Sequence, residues 1–217
     1  MKNLLTKLFL VFLILLPVSS CSAENADDAK DLLKRGFELG EQKRTNEAIN
    51  VYDELIKRYG NSSEPGVQEA VARAYGYKTV IFDQQDKKVE EIANLNEVIN
   101  KFGKSTNPVI EEIITASLLL KGVTLQEQNK RDEAIAAYDI AINQFNDTNN
   151  PVIQGLLANI LSNKGAALMV QRKFDDSMVC FDKIINRFGS STDPDIVKLV
   201  DLVKSNRDLV LSAQKPN

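Results

Sequence analysis

One phrase returns four times along this chain: an aromatic residue, a turn former, four further polar residues, then proline. It runs from Tyr59 to Pro65, Phe102 to Pro108, Phe145 to Pro151 and Phe188 to Pro194, each 43 residues after the last. A period held without slippage over most of a sequence is the mark of a repeat array. Physically the phrase is a helix stop followed at once by a helix start. Gly60, Gly103 and Gly189 stand where a chain leaving a helix is expected to turn left-handed, with Asn146 as the tolerated substitute. Asn107, Asn150 and Asp193 are placed to accept hydrogen bonds from the free amides of the next helix. The proline after each suits the first helical position, where its missing N–H is not needed. Glu64 is the weaker cap, so the first junction is the least well specified.

Between phrases the pattern is helical, and no stretch alternates at period two for long enough to make a strand. Each unit has room for two helices, expected in the first unit over residues 28–42 and 46–59. The second helix of each unit is amphipathic. Ile49, Tyr52, Ile56 and Tyr59 mark its apolar side, repeated as Ile92, Leu95, Ile99 and Phe102. The same side returns as Ile135, Tyr138, Ile142 and Phe145, then as Met178, Phe181, Ile185 and Phe188. The first helices of the middle units are apolar on more than one side, so they need neighbours on more than one side. Stacked helix pairs supply them. Residues 194–213 add one unpaired helix, a cap for the open end, making nine helices in the expected count.

Composition narrows the chemistry. The chain has no histidine and no tryptophan, and its formal net charge is −3. Without histidine there is no Ser-His or Cys-His couple and no imidazole metal ligand. Carboxylate pairs such as Glu111 and Glu112 are adjacent on a helix and point apart. Gly36, Gly122 and Gly165 fall mid-helix, so they make no phosphate loop. The expectation is a non-enzyme with no cofactor, no metal and no nucleic-acid partner, since there is no basic field.

The N-terminus is a different material. Lys2 and Lys7 flank a positive start, and Leu8 to Leu16 is unbroken apolar sequence, too short to span a membrane but right for a secretory signal. Val18, Ser19, Ser20 and Cys21 then resemble a lipobox, in which cleavage leaves a lipid-bearing cysteine. The sequence favours this over an ordinary signal cleaved after Ala23. The expected organisation is a lipoprotein signal peptide over 1–20, lipidated Cys21 and a flexible tether over 21–27, helical repeats over 28–213 and a tail over 214–217. Removing the signal takes two lysines and no acid, which makes the chain more acidic still. Ser22 after the cysteine resembles lipoproteins of an outer membrane, which implies a bacterial cell-envelope protein facing the periplasm. Cys180 is then the remaining cysteine, expected as a buried or half-buried structural thiol.

Gly36, Gly122 and Gly165 each stand twelve residues before a small residue, Ala48, Ala134 or Ser177, and four further on come Tyr52, Tyr138 and Phe181. This resembles the tetratricopeptide repeat, over about residues 29–189 in four units. The unit here is 43 residues rather than the family's 34, the tryptophan is missing, and the second unit has Thr79 and Glu91 at its small-residue sites. The resemblance implies an all-α, right-handed helical-hairpin solenoid of about four repeats with a C-terminal capping helix, acting as a protein–protein interaction scaffold or adaptor. The alternative is an envelope protein holding a small molecule or cell-wall fragment in its groove.

Members of that family usually bind extended peptides along a concave face made by their first helices. The resemblance places Lys34, Phe37, Arg73, Tyr77, Val80, Asn159, Asn163 and Met169 there as candidate contacts for an unidentified envelope protein or peptide. It gives no carboxylate clamp, because Phe37, Val80, Val123 and Ala166 stand where the clamp's asparagine would be. A second regularity is basic: Arg35, Lys78, Lys121, Lys164 and Arg207 recur at the same 43-residue spacing. Such a ladder could grip an acidic partner. Pairing within the repeats, with Asp53, Asn96, Asp139 and Asp182 or with Glu47, Glu90, Glu133 and Asp176, is the reading favoured for repeated charges.

Overall fold

The structure is a computed structural model that describes residues 23–214, so the expected signal peptide and Cys21 lie outside the described residues. Among the described residues there are nine helices and no strand. They are α1 (Ala23–Glu41), α2 (Thr45–Tyr59), α3 (Pro65–Gln84), α4 (Lys88–Phe102), α5 (Pro108–Glu127), α6 (Arg131–Phe145), α7 (Pro151–Val170), α8 (Phe174–Phe188) and α9 (Pro194–Ala213). The chain divides into two compact units at Ser117 and Leu118, inside α5. In the first, α1 packs on α2 and α3, α2 on α3, and α3 on α4; in the second, α7 packs on α6 and α8, and α9 on α8 and α7. Within each unit these helices meet their sequence neighbours, as in an all-α helical repeat of the solenoid class.

α1 starts at Ala23, five residues before the expected Asp28. Asp27 pairs with Lys30 at 3.5 Å, and Ala29 is completely buried, so this turn is both helix-favouring and packed.

The capping chemistry of the recurring phrase is realised. Asn107 Oδ1 accepts from Val109 N and Ile110 N, Asn150 Oδ1 from Val152 N and Ile153 N, and Asp193 Oδ1 from Asp195 N and Ile196 N. Glu64 makes no such side-chain cap. A hydroxyl two residues before each capping position also accepts from its backbone N–H. The pairs are Ser62 with Glu64, Ser105 with Asn107, Thr148 with Asn150 and Ser191 with Asp193, each at 3.2 Å. The Ser/Thr content of the loops therefore serves the turn.

The left-handed turns are elsewhere than expected. Gly60, Gly103 and Gly189 are right-handed, with φ of −57°, −58° and −61°. Their N–H groups close one more helical bond, to the carbonyls of Ile56, Ile99 and Ile185. A Cβ on any of the three would collide with that same carbonyl oxygen, so a tight last turn, and not positive φ, accounts for the glycine. Asn146 holds a more regular turn, with ψ of −37° against −22°, −13° and −19° at the glycines.

Positive φ occurs instead inside each hairpin, at Lys43, Asp86, Asn129 and Arg172, with φ of 60°, 56°, 60° and 60°. The bonding around them is that of a Schellman turn. Arg44 N donates to Leu39 O and Lys43 N to Gly40 O, and the other hairpins repeat both bonds, as with Lys173 N to Leu168 O and Arg172 N to Met169 O. A left-handed lysine or arginine costs on the order of 1 kcal/mol, which the two carbonyl bonds and the packed hairpin offset.

Inside the hairpins the mid-helix glycines do what close approach requires. A Cβ on Gly36, Gly122 or Gly165 would overlap the ring of Tyr52, Tyr138 or Phe181 respectively. Those rings are 1%, 0% and 0% exposed. The most buried side of α2 is Ala48, Val51, Tyr52, Leu55 and Tyr59, turned from the expected one so that Ile49 and Ile56 are half-buried. In the second unit the equivalent Ile135, Ile142, Met178 and Ile185 are likewise half-buried, packed beside a core of Leu161, Leu168, Phe181, Ile184, Val200 and Val203.

Candidate functional site

The basic ladder resolves into staples between successive hairpins. Lys78 Nζ lies 2.6 Å from Asp53 Oδ1, Lys164 Nζ 2.5 Å from Asp139 Oδ1, and Arg207 Nε 2.8 Å from Asp182 Oδ1. Lys78 and Lys164 sit on the first helix of a hairpin and Arg207 on the unpaired α9, each with its acid on the second helix of the hairpin before. Arg35, on α1, has no earlier hairpin among the described residues; it is exposed, and its charge helps to lower the pKa of Glu47, which Arg44 lowers chiefly through a direct hydrogen bond. Lys121 is half-buried, and at its rung the acidic position is filled in the sequence by Asn96.

A further ladder escaped the sequence reading. Gln42, Gln85, Gln128, Gln171 and Gln214 recur at the 43-residue period, one after each first helix. Gln85 Nε2 donates to Thr45 Oγ1 at 2.8 Å, Gln171 Nε2 to Asp132 Oδ1 at 2.8 Å, and Gln214 Nε2 to Asp175 Oδ1 at 3.0 Å. These three bonds tie the ends of α3, α7 and α9 to the first turn of the preceding second helix. The fivefold repetition of an uncharged polar residue was the available signal.

The candidate partner contacts fall into two groups. In the first unit Phe37 and Tyr77 lie with ring centroids 5.6 Å apart, and Tyr77 is stacked on buried Tyr52, also at 5.6 Å. Phe37, Tyr77 and Val80 are half-buried, and Lys34 is exposed and 3.9 Å from Glu38. Arg73 pairs with Glu69 at 2.8 Å. Burial raises the Tyr52 and Tyr77 phenol pKa values above the ordinary range, so both rings stay neutral. In the second unit Asn159 Nδ2 donates to Gly155 O and Asn163 Nδ2 to Asn159 O, both back-bonds along α7 at 2.9 Å. Met169 packs against the core beside Leu168. The structure thus brings Phe37 and Tyr77 together, while Asn159, Asn163 and Met169 serve α7 and its packing.

The second unit also holds a cleft of about 410 Å³ across α6, α7 and α8. Ile135, Ile142, Leu161, Leu168, Val179 and Cys180 supply its apolar surface, and Lys164, Asp139, Lys173, Asp176 and Lys183 its polar part. Cys180 is 4% exposed, and burial raises its thiol pKa although Lys164 and Lys183 pull it down. In unit 1 the positions of Leu161 and Leu168 are taken by Tyr75 and Phe82, whose ring centroids lie 6.0 Å and 5.8 Å from Lys78 Nζ. Among the described residues no three acidic or cysteine side chains converge so as to hold a metal ion.

Helical hairpins joined by small-residue contacts and stapled to their neighbours define a helical repeat protein. The family model for the tetratricopeptide repeat matches residues 32–62 and 116–148, and these two matches support a tetratricopeptide repeat protein. The first match covers most of α1 with α2, the second the end of α5 with α6. No curated protein matches the chain significantly. Repeats of this family generally mediate protein–protein interactions, and proteins built from them are typically non-catalytic scaffolds.

Proposed function

We propose that this protein is a lipid-anchored interaction scaffold of a bacterial cell envelope, holding a peptide segment or partner domain of another envelope protein against its first helices. The observation that carries the docking part is the Phe37–Tyr77 pair, half-buried between α1 and α3 and backed by Tyr52. Aromatics already packed on one another offer large contact area at little ordering cost, and tyrosine beside an arginine such as Arg73 is the usual composition of an interaction hot spot. The anchor rests on sequence: a positive start, the apolar run Leu8 to Leu16, and Cys21 directly after Val18, Ser19 and Ser20. Ser22 favours an outer membrane, with the repeats in the periplasm. The scaffold acts by binding alone, without catalysis, cofactor or nucleic acid.

Crosslinking in cells followed by mass spectrometry tests the docking face. Tyr77→Ala is expected to deplete the crosslinked partner at least tenfold, in keeping with a hot-spot loss of about 2 kcal/mol. An unchanged partner set would move the interaction off this face. Cys21→Ala is expected to shift the protein from the membrane to the soluble fraction, and retention on membranes would remove the anchor.

A further inference from the structure

We propose that the cleft across α6, α7 and α8 is a binding site for a small carboxylate carrying a compact apolar body. It lies between second helices and the rung they share, so it is separate from the docking face proposed above, and the two can succeed or fail independently. Its volume of about 410 Å³ is within the range of small-ligand sites, and six of its eleven lining residues, drawn from three helices, are apolar, beneath a surface that is more polar than apolar.

Charge selects the ligand's sign. Lys164 and Asp139 neutralise each other across their 2.5 Å contact. That leaves Lys173 and Lys183 against Asp176, an excess of one positive charge at the rim. A ligand with a single negative charge completes the balance, while a dianion would meet Asp176 and Asp139. The apolar floor then asks for a body that buries its surface against Leu161, Leu168 and Val179.

The chain's own repetition sharpens this. The positions equivalent to Lys183 in the other second helices are Glu54, Glu97 and Ile140, so the extra cation belongs to this hairpin alone. In unit 1 the matching floor positions carry Tyr75 and Phe82, close to the Lys78 rung. The leucine pair also stands at Leu118 and Leu125 of α5, where Ile140 takes the place of Lys183, so the cation is what sets this cleft apart. The same comparison supplies variants that the fold already accommodates elsewhere, Lys183→Glu and Leu168→Phe.

The test is calorimetry of the purified full-length protein in a zwitterionic detergent, with naphthoate as probe and uncharged naphthamide as control. Saturable one-to-one binding of naphthoate is expected, with naphthamide at least tenfold weaker. Lys183→Glu should weaken naphthoate about tenfold or more, the loss expected for a hydrogen-bonded charge. Leu168→Phe should abolish binding with helicity unchanged. Bound naphthoate should also slow maleimide alkylation of Cys180, read by mass spectrometry of its peptide. Absence of binding, equal binding of naphthamide, or naphthoate binding indifferent to both substitutions would overturn the proposal. If Leu168→Phe fails to fold, Lys183→Glu and the alkylation rate decide it.

Discussion

The hairpins α3–α4 and α7–α8 make the same helix–helix contact in two chemically different ways. In α7–α8 the aromatic Phe181 lies on Gly165, and Ser177 Oγ donates to Gly165 O at 2.8 Å. In α3–α4 the glycine is replaced by Thr79 and the aromatic by Leu95, both buried, so volume added on one helix is removed from the other. Space left by the smaller partner is filled with polar groups. Asn94, at the place of Cys180, donates to Tyr75 O and to Thr79 Oγ1, each at 2.8 Å. Glu91, 2% exposed at the place of Ser177, is held by Lys88 at 3.3 Å. The degenerate unit is thus a polar version of the contact, and it leaves Asn94 Oδ1 buried without a hydrogen bond. What the repeat preserves is the separation of its helices; the chemistry that fills it can change.

The largest expected effect comes from forcing one solution onto the other hairpin. Gly165→Thr should destabilise the protein by about 2–3 kcal/mol, because the added atoms enter the space of the Phe181 ring. Combined with Phe181→Leu, it recreates the Thr79 and Leu95 pair. Urea unfolding of the double variant should then show less destabilisation than the sum of the two single changes. Simple additivity would mean that volume exchange is not what relates the hairpins.

A smaller effect separates the polar core from the thiol one. Asn94→Ala leaves Thr79 Oγ1 and the Tyr75 carbonyl without their amide partner and should cost about 1–3 kcal/mol. Cys180→Ala removes only a buried sulfur, and its cost should be about 1 kcal/mol by the same urea measurement. Equal losses would remove the hydrogen-bonded cluster as the feature that stabilises α3–α4.

The smallest effect compares the staples. Lys164→Met breaks the contact to Asp139, worth about 0.5–1 kcal/mol for a partly exposed pair. Lys78→Met should cost about 0.5 kcal/mol more, because Lys78 also lies over Tyr75 and Phe82. Thermal unfolding at low and high salt should narrow both losses, and an unchanged salt response would argue that packing of the lysine stems is the source.

Several features were legible because they are local. The helix starts at Pro65, Pro108, Pro151 and Pro194 follow from capping over two or three residues, and the glycine-to-ring contacts follow from a fixed spacing within one hairpin. The left-handed residues were not legible. Lys43 and Arg172 carry no glycine-like signal, and the conformation is imposed by the hairpin that closes around them. Gly60, Gly103 and Gly189 gave the wrong signal, because a close carbonyl excludes a Cβ as effectively as positive φ does. The ladders were visible as repetition, but Lys78 and Asp53 are 25 residues apart and Gln171 and Asp132 are 39 apart. Only the stacking of hairpins decides whether such residues face each other or solvent.

By itself, then, the amino-acid sequence determined the period, the number of helices among the described residues and the tetratricopeptide character, all of which rest on interactions within a few turns of one chain segment. The tertiary structure decided that the basic ladder staples hairpins at Lys78, Lys164 and Arg207, that Phe37 meets Tyr77, and that a cleft opens over Leu161 and Leu168. Those outcomes depend on which side chains occupy the same space after folding, and volume and charge are compared there only once the helices have packed.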